Sequence, residues 1–263
     1  MNSHRASMKV VLTGASSGLG QALAIEYARR FPGLTIALIA RRTDALSAVI
    51  GQMPGANAVA YPLDVTDRTA LDAMGRDFLE RFGAPDVVIA NAGINAPTLT
   101  GVAGDEAGFE RVIRTNVVGV FDTFAPFVAA MRTQRAGALV GIASVAGVRG
   151  MPSLGGYCAS KAAVIAYLES LRLELRASGV GVVTIAPGYI RTPMTAPNPY
   201  PMPFLMDADV FARHAVTAIE KRRRFAVIPW QMGWVARVLR VLPDALFDVL
   251  FSRAPHKPRA SGQ

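Results

Sequence analysis

The sequence predicts a single α/β domain, a doubly wound parallel sheet of about seven strands with helices on both faces. Three observations lead there. Short apolar, β-branched runs alternate with helical patterns between residues 9 and 228. A glycine-rich turn joins the first strand to the first helix, the context a nucleotide loop requires. Polar residues suited to chemistry recur just beyond strand carboxyl ends, where open α/β sheets place their ligands.

The first run, Lys9–Thr13, leads into GASSGLG and then the helical pattern QALAIEYARRF, ending at Phe31. Gly14 permits a tight turn, Gly18 lets phosphates approach backbone N–H groups, and Gly20 permits close helix–strand packing. Leu34–Ala40 reads as the second strand, followed by Arg41, Arg42 and a helix to about Met53. A carboxylate after this strand would accept from a ribose 2′-OH, whereas arginine fits a 2′-phosphate. The first carboxylate here is Asp44, so NADP(H) is favoured over NAD(H), with Arg41 the better placed arginine and Ser16 or Ser17 adding a hydroxyl. The alternatives are that both arginines are solvated charges or that Asp44 supports NAD(H).

Ala58–Leu63 is the third strand, ending at Asp64-Val65, and Asp67 suits the N-cap of the next helix. Asp86–Ala90 is the fourth, running into Asn91-Ala92-Gly93. After a loop, a long helical segment extends from about Glu106 to Thr133 and includes Asn116. Gly137–Ala143 is the fifth strand and delivers Ser144 at its end. A helix from about Leu154 to Ala177 carries Tyr157 and Lys161, four residues apart and so on one face. A lysine ammonium beside a phenol favours the phenolate, so the Tyr157 pKa is expected to fall from about 10 towards working pH. Such a tyrosine exchanges protons with an alcohol or a developing alkoxide. Gly181–Ala186 is the sixth strand, ending in Pro187-Gly188, with Ile190 and Thr192 beyond. The proline-rich stretch TAPNPYPMPFLMD cannot be a regular helix or central strand. It reads as a substrate loop with an apolar lining, or as a rigid connector. A helix from Ala208 to Lys221 and an edge strand at Phe225–Ile228 complete the sheet.

These motifs together resemble the short-chain dehydrogenase/reductase family, over nearly the whole chain. The turn matches TGxxxGxG, and Ser144, Tyr157 and Lys161 match the family's serine followed at 13 residues by Tyr-x-x-x-Lys. The resemblance implies a Rossmann-type fold and hydride transfer between nicotinamide and a carbonyl or secondary alcohol. It assigns Tyr157 as acid/base, Ser144 to the substrate oxygen, Lys161 to the ribose and tyrosine, and Asn116 to a local helix opening and a proton relay. It further implies cofactor contacts at Gly14, Ser16, Ser17, Gly18, Leu19, Gly20, Arg41, Arg42, Asp64, Val65, Asn91, Ala92, Gly93, Pro187, Gly188, Ile190 and Thr192. Ala90 replaces the first asparagine of the usual NNAG. Homo-oligomers, dimers or tetramers, are usual in the family. The rival readings are an NAD-dependent member and a nucleotide-sensing or membrane-peripheral scaffold without turnover.

Composition bounds the rest. The 263 residues are 51% hydrophobic with mean hydropathy +0.30, ample for a large core. No uninterrupted apolar run of about 18 residues appears, which argues against a spanning helix. The opening MNSHRASMKV lacks the apolar stretch of a secretory signal and reads as a short extension or vector remnant. The single cysteine, Cys158, excludes an internal disulfide and fits a cytoplasmic protein. From Lys221 onward nine basic residues face only Asp244 and Asp248, so most of the net charge of +9 lies in the last stretch. No nucleic-acid motif accompanies it. Residues 8–229 therefore read as the catalytic domain and 230–263 as an amphipathic helical extension with a basic tail. In that extension Arg237, Arg240, Asp244 and Asp248 are expected near one helical face, and Pro243 as the first residue of a second helix. Core docking, a dimer contact and peripheral membrane contact are all open to it.

Overall fold

A computed structural model describes residues 7–252; the expectations placed on the first six residues and on Arg253, Lys257 and Arg259 lie outside it. Side-chain alternation builds its centre. In β1 (Lys9–Thr13) and β2 (Thr35–Ala40), Val10, Leu12, Ile36 and Leu38 point to one apolar layer, whereas Val11, Ala37 and Ile39 point to the other. Burial on both faces is what a parallel sheet requires. The remaining main strands are β3 (Asn57–Pro62), β4 (Val87–Ala90), β5 (Ala138–Ile142), β6 (Gly181–Pro187) and β9 (Phe225–Ile228). They pair in the order β3-β2-β1-β4-β5-β6-β9, every pair parallel. The order reverses between β1 and β4, and ligand sites of such sheets lie at that switch point.

Helices α1 (Gly18–Arg30), α2 (Thr43–Ile50) and α7 (Ala208–Glu220) cover one face, with Leu23, Tyr27, Leu46, Phe211 and Ile219 in its core. Helices α3 (Arg68–Phe82), α5 (Gly119–Gln134) and α6 (Gly155–Glu174) cover the other, with Phe78, Phe124, Phe127 and Leu168 buried. Each such side chain stabilises the fold by about 1.5–3 kcal/mol. Asp67 caps α3 as expected, its carboxylate accepting from Ala70 N–H at 3.0 Å.

The helix expected over 106–133 is divided. Helix α4 (Asp105–Ile113) passes through one π-helical turn, Arg114–Val118, before α5 begins. The whole run is long and apolar enough to cross a membrane. Val112, Val120, Phe124, Phe127 and Met131 nevertheless bury their side chains in the protein. The proline-rich stretch is a loop until its end, where β8 (Met206–Asp207) pairs with β7 (Ile190–Arg191), which precedes the stretch.

The C-terminal extension is two helices, α8 (Gln231–Val241) and α9 (Asp244–Phe251). Met232 and Ala236 bury α8 against the body of the domain, so it docks rather than hangs free. Pro243 precedes α9 instead of opening it, and the chain bend parts the four charges expected on one face. Asp244 turns to Arg149, while Arg237 lies over Trp234.

Candidate active site

The carboxyl ends of β1, β2, β4, β5 and β6 open into one cleft of about 950 Å³. At its centre Gly14 turns the chain out of β1 with φ +66°, and a Cβ there would lie 2.8 Å from the Ala92 Cα. Both the left-handed backbone and the close approach demand glycine. The turn is pinned to β4 by a pair of side chains. Thr13 Oγ1 accepts from the N–H groups of Asn91 (3.0 Å) and Ala92 (3.1 Å), and the Asn91 amide donates to Thr13 O at 2.9 Å. Thr13 was not singled out in the sequence, although a threonine ending a strand before glycine is the available signal. Helix α1 then starts at Gly18 with no acidic residue in its first turn and no side-chain bond from Ser17. Its first N–H groups and the positive end of its dipole suit a phosphate.

Ser16, Ser17, Gly18 and Leu19 line the cleft beside Arg41, Arg42, Asp64 and Val65. Arg42 Nη2 reaches Ser16 Oγ at 3.4 Å, whereas Arg41 pairs with Asp64 at 3.5 Å. Asp64 also accepts from the N–H and hydroxyl of Thr66, both at 2.9 Å. Gly20 stands behind the wall: a Cβ there would sit 2.1 Å from Gly14 O, so its place is packing.

At the other end Asn91, Ala92, Gly93, Ser144, Tyr157, Lys161, Pro187, Gly188, Ile190 and Thr192 share the wall. Ser144 follows β5 and caps a 3₁₀ turn, Val145–Gly147, its Oγ accepting from Ala146 N–H at 3.1 Å. Gly147 is the contact that sets this turn on α6, because a Cβ would lie 2.7 Å from the Lys161 carbonyl carbon. The Ser144 hydroxyl, which donates to Pro187 O at 3.5 Å, thereby stands near enough to Tyr157 to act on its phenol. Lys161 is buried and donates to Ile142 O at 2.8 Å, with its Nζ 5.8 Å from the centre of the Tyr157 ring.

The electrostatics correct one expectation. Burial pushes the Tyr157 phenol up to about 12, against a smaller downward pull from the Ser144 hydroxyl, rather than down towards neutrality. Burial also pushes Lys161 down to about 8. Desolvation of each group outweighs the attraction expected between them, since the ammonium is directed to a backbone carbonyl.

Asn116 lies in the π-helical turn, fully buried and outside the cleft wall. Its carboxamide accepts from Ile94 N–H (2.8 Å) and donates to Ile94 O (2.9 Å) and Ser160 Oγ (3.0 Å). Gly93 separates it from the lysine, for a Cβ on Gly93 would face Asn116 Oδ1 at 3.3 Å and Lys161 Nζ at 3.5 Å. The sequence reading missed Ile94, Phe109, Arg111, Arg114, Pro193 and Met194 in the wall. On α4 and the π-helical turn, Glu110, Arg114 and Val118 also line the wall at intervals of four residues, the one local signal of a shared face.

The short chain dehydrogenase family profile matches residues 8–201. This chain belongs to the short-chain dehydrogenase/reductase family. An uncharacterized oxidoreductase of Myxococcus xanthus is 37% identical over 248 residues, covering 92% of this chain and 96% of the relative. A 3-oxoacyl-[acyl-carrier-protein] reductase of Thermotoga maritima is 34% identical, covering 72% of this chain and 76% of its own. Among solved structures, a Sphingobium yanoikuyae short-chain dehydrogenase in complex with NADPH superposes with TM-score 0.77 at 26% identity, over 97% of this chain and 99% of that one. A Burkholderia phymatum family member in complex with NAD gives TM-score 0.79 at 26% identity, over 97% and 98%. The protein is thus an NAD(P)-dependent oxidoreductase acting on CH–OH and C=O groups. The free α1 N-terminus, the glycine turn and the cleft's volume fit a dinucleotide with room for a substrate.

Proposed function

We propose that this short-chain dehydrogenase is an NADPH-dependent carbonyl reductase for lipophilic substrates, acting through Tyr157. The observation that carries the cofactor choice is the end of β2. Arg41 and Arg42 enter the cleft there, and Arg42 already meets the Ser16 hydroxyl. Two guanidinium groups with a hydroxyl suit a 2′-phosphate. The Asp64 carboxylate, the nearest rival as a ribose acceptor, is engaged by Thr66 and Arg41. Ile94, Phe109, Pro193 and Met194 add apolar wall to the cleft that holds Tyr157, which supports a hydrophobic substrate.

When bound, NADPH supplies the hydride that the carbonyl carbon receives. The Ser144 and Tyr157 hydroxyls hydrogen-bond the carbonyl oxygen and polarise it. Tyr157, which keeps its proton at neutral pH, hands that proton to the developing alkoxide and closes the balance as an alcohol. Lys161 holds the ribose and returns Tyr157 to its protonated form, and Asn116 fixes the backbone at Ile94 beside the substrate.

Titration with NADPH and NADH, read by thermal shift, tests the cofactor choice. NADPH is expected to bind more tightly, and Arg41→Ala with Arg42→Ala to cost it roughly tenfold or more while NADH is unchanged. Equal loss for both dinucleotides would overturn the 2′-phosphate reading and leave the NAD-dependent alternative.

A further inference from the structure

Helix α8 is apolar on two opposite sides. Met232 and Ala236 face the domain, while Trp230, Trp234, Val238 and Val241 form a second stripe on successive turns, 57–79% exposed. Trp230 continues the helical geometry one residue ahead of α8, with φ −60° and ψ −29°. Helix α9 repeats the pattern, with Leu246, Val249 and Leu250 at i, i+3 and i+4 and 48–74% exposed. Seven large apolar side chains thus stand in water on two consecutive helices, far more than scattered surface residues explain.

The helices do not hang free. Arg149, in the loop between Ser144 and Tyr157, donates to Leu239 O (2.9 Å) and Leu242 O (2.7 Å), and pairs with Asp244 at 2.5 Å. Its guanidinium lies 4.2 Å from the centre of the Phe247 ring. This one side chain ties α8, the bend and α9 to the body of the domain, holding both outward stripes in place. The clamp also occupies Asp244, leaving Asp248 as the one other acidic side chain after Glu220.

We infer that α8 and α9 form a docking face for an anionic phospholipid surface. The charge around the stripes selects that occupant. Arg237 lies over the Trp234 ring at 5.0 Å and Arg240 follows one turn on, both bordering the apolar stripe. Of the two acidic side chains on these helices, Asp244 is held by Arg149, which leaves Asp248 against Arg237 and Arg240. A second copy meeting this face through two-fold symmetry would bring like charges together, whereas phosphates at a membrane surface neutralise them. Tryptophan flanked by arginine also matches the interfacial layer, where an apolar ring and a charged head meet acyl chain and headgroup.

The chain carries only two tryptophans, Trp230 and Trp234, and both lie on the stripe. Tryptophan emission of the full-length protein, excited selectively over its six tyrosines, therefore reports this face. Vesicles of phosphatidylcholine containing phosphatidylglycerol are expected to shift the emission to the blue, protect it from acrylamide and carry the protein in a sedimentation assay. Phosphatidylcholine alone is expected to do none of these, and high salt to reverse them. Val238→Glu with Leu250→Glu, both on exposed positions outside the core, should weaken sedimentation by at least about tenfold with the thermal melt unchanged. Arg237→Gln with Arg240→Gln should weaken it on the order of fivefold per charge. Vesicle binding indifferent to lipid charge, or untouched by the glutamate pair, would overturn the proposal. So would light scattering in which that pair splits an oligomer while lipid binding stays absent. Turnover enters none of these readouts, so their outcome stands apart from the reductase reading.

Discussion

Helices α6 and α8 invert each other. Helix α6 buries polar groups: Ser160 is sealed in the interior beside Asn116 and Lys161 is 5% exposed at the cleft wall, at a desolvation cost that ordinary packing would avoid. Helix α8 exposes apolar ones, with Trp234 and Val238 in water although its inner side already fills the core contact. Each departs from the usual sorting of residues, and each departure sits where binding or chemistry has a use for it. In α6 every buried polar atom of that cluster has a partner, which confines the cost. Among the described residues nothing covers the outer stripe of α8, and the proposed lipid surface would supply its partner. The contrast separates a site completed by its own fold from a surface completed by something else.

The comparison can be broken at α6 first. Tyr157→Phe removes the proton donor and keeps the ring, so turnover of a lipophilic ketone should fall by about 10² to 10⁴ with dinucleotide binding retained. Retained turnover would sink the assignment. The buried lysine makes the second test. With Lys161 held at about 8 against an ordinary 10.5, the unfolded chain binds more protons between those values, and stability from this group rises with pH across that window. Below it the cost of burying the ammonium is felt in full, on the order of 3 kcal/mol. Lys161→Met lacks that cost, so urea melts should show the stability difference between variant and parent moving in the parent's favour from pH 8 to 9.5. A difference that stays flat would mean that the lysine titrates at its ordinary value. Tyr157 acts with opposite sign only above about pH 10, beyond the pH 8 to 9.5 range of these melts.

A smaller effect sharpens the geometry of α6. Gly147→Ala forces a Cβ to within 2.7 Å of the Lys161 backbone, whereas Gly150 has open space around it. The first substitution should cost about 1–3 kcal/mol and lower kcat by moving Ser144 relative to Tyr157; Gly150→Ala should do neither. Equal behaviour of the two in thermal melts and steady-state kinetics would remove Gly147 as a positioning residue. The smallest effect belongs to the opposite region. Val249→Glu on α9 should change stability by no more than about 0.5 kcal/mol, because the side chain is 74% exposed and leaves no cavity. A large loss would show that α9 is packed more firmly than its surface indicates.

Much of the site was legible because its determinants are local. Glycines at fixed offsets after a strand, and a tyrosine one turn before a lysine, carry their geometry in spacing alone. The hidden parts lie between segments far apart in the chain. Thr13 gains its place only when β4 arrives beside β1, and Arg149 only when the last two helices fold back over its loop. The helix opening at Asn116 was expected from the family resemblance, but its partners Ile94 and Ser160 emerge only from the tertiary structure.

The order of strands and helices, the dinucleotide turn and the spacing of Ser144, Tyr157 and Lys161 in the candidate cleft were determined by the sequence itself, since periodicity and short-range steric demands act within a few residues. The ionisation of Tyr157 and Lys161 was decided by the tertiary structure, which reversed the expected direction for the phenol. Charge in a folded protein depends on what surrounds a group in three dimensions, and desolvation has no signature in spacing. The same holds for α8: its composition was plain, but only packing revealed which apolar side the domain keeps and which it leaves to water.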